Sequence, residues 1–257
     1  MGRKKAADKV DEAAETSTPL RDQIEKTRTR KSNYTLDLKV NSPASMGYIG
    51  VDGLDSAPAI VRLSKVKGLD VIAITDLYSG EFVDKMVKAA EGSPLTVIPG
   101  VSIRCKLGAC DDVILSCLFP ESTTTATINS FLAALRIPMQ ARGNGQFVLS
   151  QTMPEILSAI EAFHGFAIPT RIDKTPNRIS VLGALVETYG FRAFDLAYGT
   201  SEEIFKRRWP KTKFQLFSFS DANALAQIGS RIARIKLAEP GFAEIKEIMA
   251  RQQTSLE

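Results

Sequence analysis

Five short polar segments of this chain carry side chains able to do chemistry. They are Asp37-Leu38-Lys39-Val40-Asn41-Ser42, Ile74-Thr75-Asp76-Leu77, Pro99-Gly100-Val101-Ser102, Pro169-Thr170-Arg171-Ile172-Asp173-Lys174 and Ser218-Phe219-Ser220-Asp221-Ala222-Asn223. Lys39 and Arg171, with Arg104 and Lys174 nearby in sequence, could grip an anion such as a phosphate ester. Asp76 and Asp221 could equally neutralise Lys39 and Arg171 by pairing with them. Ser42 and Ser220 have neither an adjacent base nor a G-x-S-x-G elbow, so both are expected to be turn or cap residues. His164, the only histidine, falls near a helix end in Glu161-Ala162-Phe163-His164-Gly165, with no partner that would make it a general base. Cys105, Cys110 and Cys117 are odd in number and spaced unlike a zinc ribbon. Cys117, inside the apolar run VILSCLF, reads as core.

The elements that must position these residues alternate. Strands are predicted over Tyr34–Leu38, Leu69–Ile74, Leu95–Ile98, Val113–Phe119, Phe166–Ile168, Ala193–Ala197 and Phe214–Phe217. LDVIAI, a continuous apolar run rich in β-branched residues, suits a strand buried on both faces. Helices are predicted from Ser56 to Lys67, Gly80 to Ala90, Ala126 to Leu135, Pro154 to Phe163, Ile179 to Thr188, Glu202 to Arg208 and Phe242 to Arg251. Gly68 ends the first, and Phe82, Val83, Met86, Val87 and Ala90 form one apolar stripe on the second. This order predicts an α/β fold with a mainly parallel sheet, and about seven such units suit a closed barrel. In such barrels functional groups stand at the C-terminal ends of strands, which is where the polar segments fall.

Taken together, the five segments resemble the PHP (polymerase and histidinol phosphatase) family over residues 34 to 236. That family reads D-L-H-x-H-S, then G-L-D-x-I-A-I-T-D-H, P-G-[IV]-E, a histidine on the next strand, an H-x-D-R-like segment and S-D-A-H. Gly68-Leu69-Asp70-Val71-Ile72-Ala73-Ile74-Thr75-Asp76 is a near-complete match. The resemblance implies a distorted (β/α)7 TIM-like barrel. It also implies that the metal-binding histidines are replaced by Lys39, Asn41, Leu77, Ile114, Arg171 and Asn223, and the glutamate by Ser102. Asp76 and Asp221 alone match ligand positions. The hydrolases of the family hold divalent metals that activate water, and metals want imidazole and carboxylate ligands rather than ammonium and guanidinium. The resemblance therefore implies no metal, no cofactor and no catalytic residues.

The net charge of +4 is unevenly spread: residues 1–33 hold nine Lys or Arg against six Asp or Glu. They are expected to form a flexible basic extension, with residues 34–257 as the barrel domain. No apolar run approaches the roughly 20 residues that span a bilayer, and no secretory or transit signal opens the chain; no membrane insertion and a cytoplasmic location are expected. Three roles remain open. The first is an accessory or structural subunit with protein partners in a larger complex. The second is a nucleic-acid binder, using Arg3, Lys4, Lys5, Arg28, Arg30 and Lys31 of the extension and Lys206, Arg207 and Arg208 beside Trp209. A metal-free relative of the PHP fold in ribonuclease P is an analogy for that role. The third is a sensor that holds a phosphorylated small molecule without cleaving it.

Overall fold

The computed structural model describes residues 31–251 together with Gly2. Arg3, Lys4, Lys5, Arg28 and Arg30, and most of the predicted basic extension, lie outside the described residues. The elements run β1 (Ser32–Val40), α1 (Ser56–Val66), β2 (Val71–Ile74), α2 (Val83–Ala90), β3 (Thr96–Leu107), β4 (Cys110–Leu118), α3 (Thr125–Ala134) and α4 (Met153–Ala162). They continue with β5 (Phe166–Thr170), α5 (Pro176–Ser180), α6 (Leu182–Glu187), β6 (Ala193–Asp195), α7 (Glu202–Arg208), β7 (Gln215–Phe217), β8 (Ala233–Leu237) and α8 (Phe242–Met249). Among the described residues no helix is long and apolar enough to cross a membrane.

The eight strands form one sheet in the order β7-β6-β5-β4-β3-β2-β1-β8, an α/β fold whose near-closed barrel resembles a distorted TIM-like barrel. Parallel pairs β1·β2, β2·β3, β5·β6 and β6·β7 follow from the crossover helices, which return the chain to the same end of the sheet. β4 breaks the pattern, running antiparallel to both β3 and β5, and β8 lies antiparallel on the first half of β1. The chain beyond β7 then crosses to the end of β1 through the bridge Val40 to Ala222, and to the loop after it through Ile49 to Ala224. The polar strand ends gather beside that crossing.

Two expectations are corrected here. Among the described residues the sheet has eight strands, not seven, because Ala-Arg-Ile-Lys-Leu of β8 shows its apolar residues only at alternate positions, the mark of a strand with one wet face. The predicted Leu95–Ile98 strand extends through Leu107, since Val101, Ile103 and Cys105 are fully buried while Arg104 and Lys106 alternate with them. Gly108, at φ +57°, makes the tight turn into β4.

Packing holds these strand ends in place. Leu36, Leu38, Val71, Ala73 and Ile98 meet Phe166 and Ile168 from across the sheet, and Phe242, Ile245 and Met249 of α8 join the same cluster. On the other face of β1 and β2, Val40, Ile72 and Ile74 pack against Ile60 and Val61 of α1 and Met86 of α2. Asp55 caps α1, its carboxylate accepting from the Ala57 amide. The predicted Ile179–Thr188 helix is divided at Val181, which ends α5 and opens α6.

Candidate functional site

The sequence motifs converge on one mouth. Lys39, Asn41, Leu77, Ser102, Ile114, Arg171, Lys174, Asp221 and Asn223 line a single cavity of about 220 Å³, joined by Thr170 and Arg178. These nine are therefore neighbours in space although β1, β3, β4 and the segments after β1, β2, β5 and β7 supply them separately. Arg104 does not join: its Nε pairs with Asp112 at 3.0 Å and its Nη1 donates to the Gly145 carbonyl at 2.7 Å. Arg104 is thus withdrawn from the anion-binding set, because the adjacent strand β4 offers it a carboxylate.

The electrostatics of the mouth rest on Asp221. Lys39, almost wholly buried, donates from Nζ to Ser102 Oγ at 3.1 Å and stands 3.5 Å from Asp221 Oδ1. Arg171 Nη2 lies 3.3 Å from Asp221 Oδ2. One carboxylate therefore serves two cations. Asn41 Nδ2 donates to Asn223 Oδ1 at 2.8 Å, tying the β1 end to the same segment. Arg171 and Asp221 both sit at left-handed backbone angles, φ +50° and +52°, a conformation that is costly for residues with a Cβ and persists only where surrounding contacts impose it. Arg178 imposes part of it: its Nη1 donates to the Arg171 carbonyl at 3.1 Å while Nε and Nη2 hold Asp112 at 3.0 and 2.9 Å.

Asp76 behaves differently from the pairing expected of it. No ion pair joins it to Lys39 or Arg171 among the described residues. Its carboxylate instead accepts from the Ser42 amide (2.7 Å), Ser42 Oγ (2.5 Å) and Ser45 Oγ (2.6 Å). Ser42 is thus the anchor of a turn, bound to Asp76 through both its amide and its hydroxyl. Burial raises the Asp76 carboxyl above its usual range, against the pull of those hydrogen bonds.

Two buried carboxylates were missed in the sequence. Asp37 accepts from the Ser220 and Gly229 amides at 3.1 and 3.0 Å. Asp195 ends β6 and accepts from the Phe219 amide (2.9 Å) and Thr170 Oγ1 (3.1 Å), with Arg171 Nε at 4.0 Å. Asp195 follows the apolar Ala193-Phe194, so its place at a strand end was visible. Arg178 gave no comparable signal, because only the folding of α5 brings it to the mouth.

Burial pushes the Asp195 carboxyl up from 3.8 to about 6. A carboxyl with a raised folded value binds its proton more tightly in the native state. Its contribution to stability is fully present below pH 3.8 and lost as pH rises through about 6. Urea unfolding at several pH values is therefore expected to show this contribution growing as pH falls through that window. Asp195→Asn should flatten the slope relative to the parent; an unchanged slope would contradict the assignment.

Elsewhere, the basic segment near Trp209 is largely occupied. Lys206 faces Glu202 and Glu203 at 3.7 and 3.1 Å, and Arg208 stacks on the Trp209 ring at 4.7 Å. Trp209 Nε1 donates to Glu187, and the ring packs against Phe205 and Phe214. Arg207 and Lys31 are exposed. His164 is exposed just past α4, and all three cysteines are buried thiols.

The residues of the mouth do not fit a metal centre. Among the described residues no group of three His, Cys, Asp or Glu could hold an ion, and the cavity lining includes the Lys39 ammonium and the Arg171 guanidinium, which are not metal ligands.

No family model matches the chain, and no curated protein matches it. Solved structures do. A lesion-specific endonuclease from Pyrococcus furiosus aligns with TM-score 0.60 at 18% identity over 84% of this chain and 56% of its own. An amidohydrolase from Chromobacterium violaceum, solved with bound sulfate and no metal, aligns with TM-score 0.58 at 12% identity over 86% of this chain and 99% of its own. A structure assigned as a metal-dependent phosphoesterase from Bifidobacterium adolescentis gives TM-score 0.57 at 13% identity, over 86% and 97%. The chain spans only 56% of the endonuclease's length. At 12–18% identity these likenesses show a shared fold alone.

Proposed function

We propose that this chain is a non-hydrolytic PHP-like barrel that serves as an accessory subunit of a larger assembly. One observation carries the reading: the Asp221 carboxylate is shared between Lys39 and Arg171, at 3.5 and 3.3 Å. Internal cations occupy the place from which metals would activate water, so the machinery of metal-assisted hydrolysis has no footing. The fold and its strained strand ends are retained without that chemistry, which favours a role for the surface.

A surface suited to a protein partner begins at Met46, which lines the mouth. Met46, Ile49, Val51 and Leu54 of the loop after β1, with Val66 of α1, are exposed between 45% and 77%. So many large apolar groups on one loop and the helix it leads into are more than the scattered single exposures normal for a monomer.

The test has two arms. Purified protein supplied with manganese or zinc is expected to retain no stoichiometric ion and to leave bis(p-nitrophenyl) phosphate intact. Affinity capture from the native host, with and without nuclease, is expected to retain a protein in fixed ratio after digestion, and Ile49→Lys with Val66→Lys should release it. A tightly held ion with turnover of the diester would overturn the reading. Partners lost on nuclease treatment would put nucleic-acid binding in its place.

A further inference from the structure

We propose that the mouth is a metal-free binding site for a small phosphate-class oxyanion, held chiefly by Arg171 and Lys174 with Lys39 beneath, and not cleaved there. This rests on the non-hydrolytic reading above and names the ligand class of the same site.

The donors are present and incompletely used. Arg171 Nε is buried and makes no hydrogen bond among the described residues, Asp195 standing 4.0 Å off. Arg171 Nη2 faces Asp221 Oδ2 at 3.3 Å and the Ser220 carbonyl at 3.4 Å, which leaves the two N–H groups of Nη1 as the donors free of such contacts among the described residues. Lys39 commits Nζ to Ser102 and Asp221, leaving a third proton to point elsewhere. Lys174 is exposed, lines the same cavity and takes part in no ion pair among the described residues. Asn223 Nδ2 has only a 3.4 Å contact with the Asp221 carbonyl.

The donors are also held in position. Arg178, nearly fully buried, spends its guanidinium on Asp112 and the Arg171 carbonyl, fixing Arg171 in a left-handed conformation that unconstrained backbone would leave. Asp221 pairs with both Lys39 and Arg171, and a single carboxylate offsets only one of their two positive charges. Planar guanidinium and ammonium groups converging in this way match the tetrahedral, multiply charged oxygens of a phosphate. Size restricts the occupant: about 220 Å³ is below the roughly 300–1,000 Å³ of pockets for drug-sized ligands.

The test is calorimetric titration of the full chain with inorganic phosphate, in chelator and at constant ionic strength set with chloride. Saturable binding is expected, with sulfate competing. Lys174→Ala, an exposed and unpaired position where folding is not at issue, should weaken it about 5- to 10-fold, and Arg171→Gln about 10-fold or more. Lys206→Ala, outside the cavity lining and paired with Glu202 and Glu203, should leave it unchanged. Absence of saturable binding would overturn the site, as would affinity that ignores Lys174→Ala and Arg171→Gln or falls equally with Lys206→Ala. Failure here, with no metal retained and no diester turned over, leaves the non-hydrolytic reading standing. Turnover of the diester overturns that reading while the chelator titration still decides on phosphate.

Discussion

Asp76→Ala is expected to lower the free energy of unfolding by about 3–5 kcal/mol. The carboxylate is fully buried and is the acceptor for the Ser42 amide and for the hydroxyls of Ser42 and Ser45. Truncation strands all three donors, and each buried donor without a partner costs about 1–3 kcal/mol. The hydroxyls can turn elsewhere, but the Ser42 amide cannot, which sets the lower bound. Asp76→Asn keeps one acceptor oxygen and offers an N–H to a serine hydroxyl, so it should cost about half as much. Urea denaturation of the three proteins decides it. Equal losses for Ala and Asn would mean that the carboxylate's acceptor role is not what stabilises the turn. A metal-ligand role would look different again, with the loss appearing only when metal is supplied.

This residue illustrates how far the sequence could be read. Gly68 to Asp76 announced both a buried strand and its polar end, because a continuous β-branched run followed by Thr-Asp has few other uses. That polar strand ends far apart in sequence should gather was equally legible: Lys39, Ser102, Arg171, Asp221 and Asn223, spread over 185 positions of chain, line one cavity. What pairs with what was not legible. Assignment of Asp76 to a cation failed because nearby serines, two on the same short loop, reached it first. Arg104 failed for a similar reason, since strand β4 runs antiparallel to β3 and sets Ile114 opposite it, with Asp112 within reach. Sequence order had suggested a parallel neighbour and so gave no hint of that acid. β8 went unread because an alternating Ala-Arg-Ile-Lys-Leu strand buries little, and its identity as a strand depends on β1 lying beside it. Local pattern thus located the groups, whereas partner choice depended on strand direction.

Asp221 puts that partner choice to its sharpest test. Asp221→Ala is expected to destabilise the protein by about 2–3 kcal/mol. Removing one member of a fully buried ion pair costs about 3–5 kcal/mol, because the remaining charge stays desolvated, and Asp221, with its side chain 26% exposed, lets some water reach the mouth. Lys39, only 7% exposed, is the charge that would suffer most. Lys39→Met in the same chain should therefore recover about 1–2 kcal/mol, since a buried pair replaced by apolar groups of similar volume is often near neutral. The measurement is a double-mutant cycle in urea. Recovery would mean that Asp221 holds Lys39 inside the barrel as a counter-charge. If the double variant is as unstable as the sum of the single ones, the two side chains do not act on each other, and the mouth owes its order to the backbone bridge between Val40 and Ala222 instead.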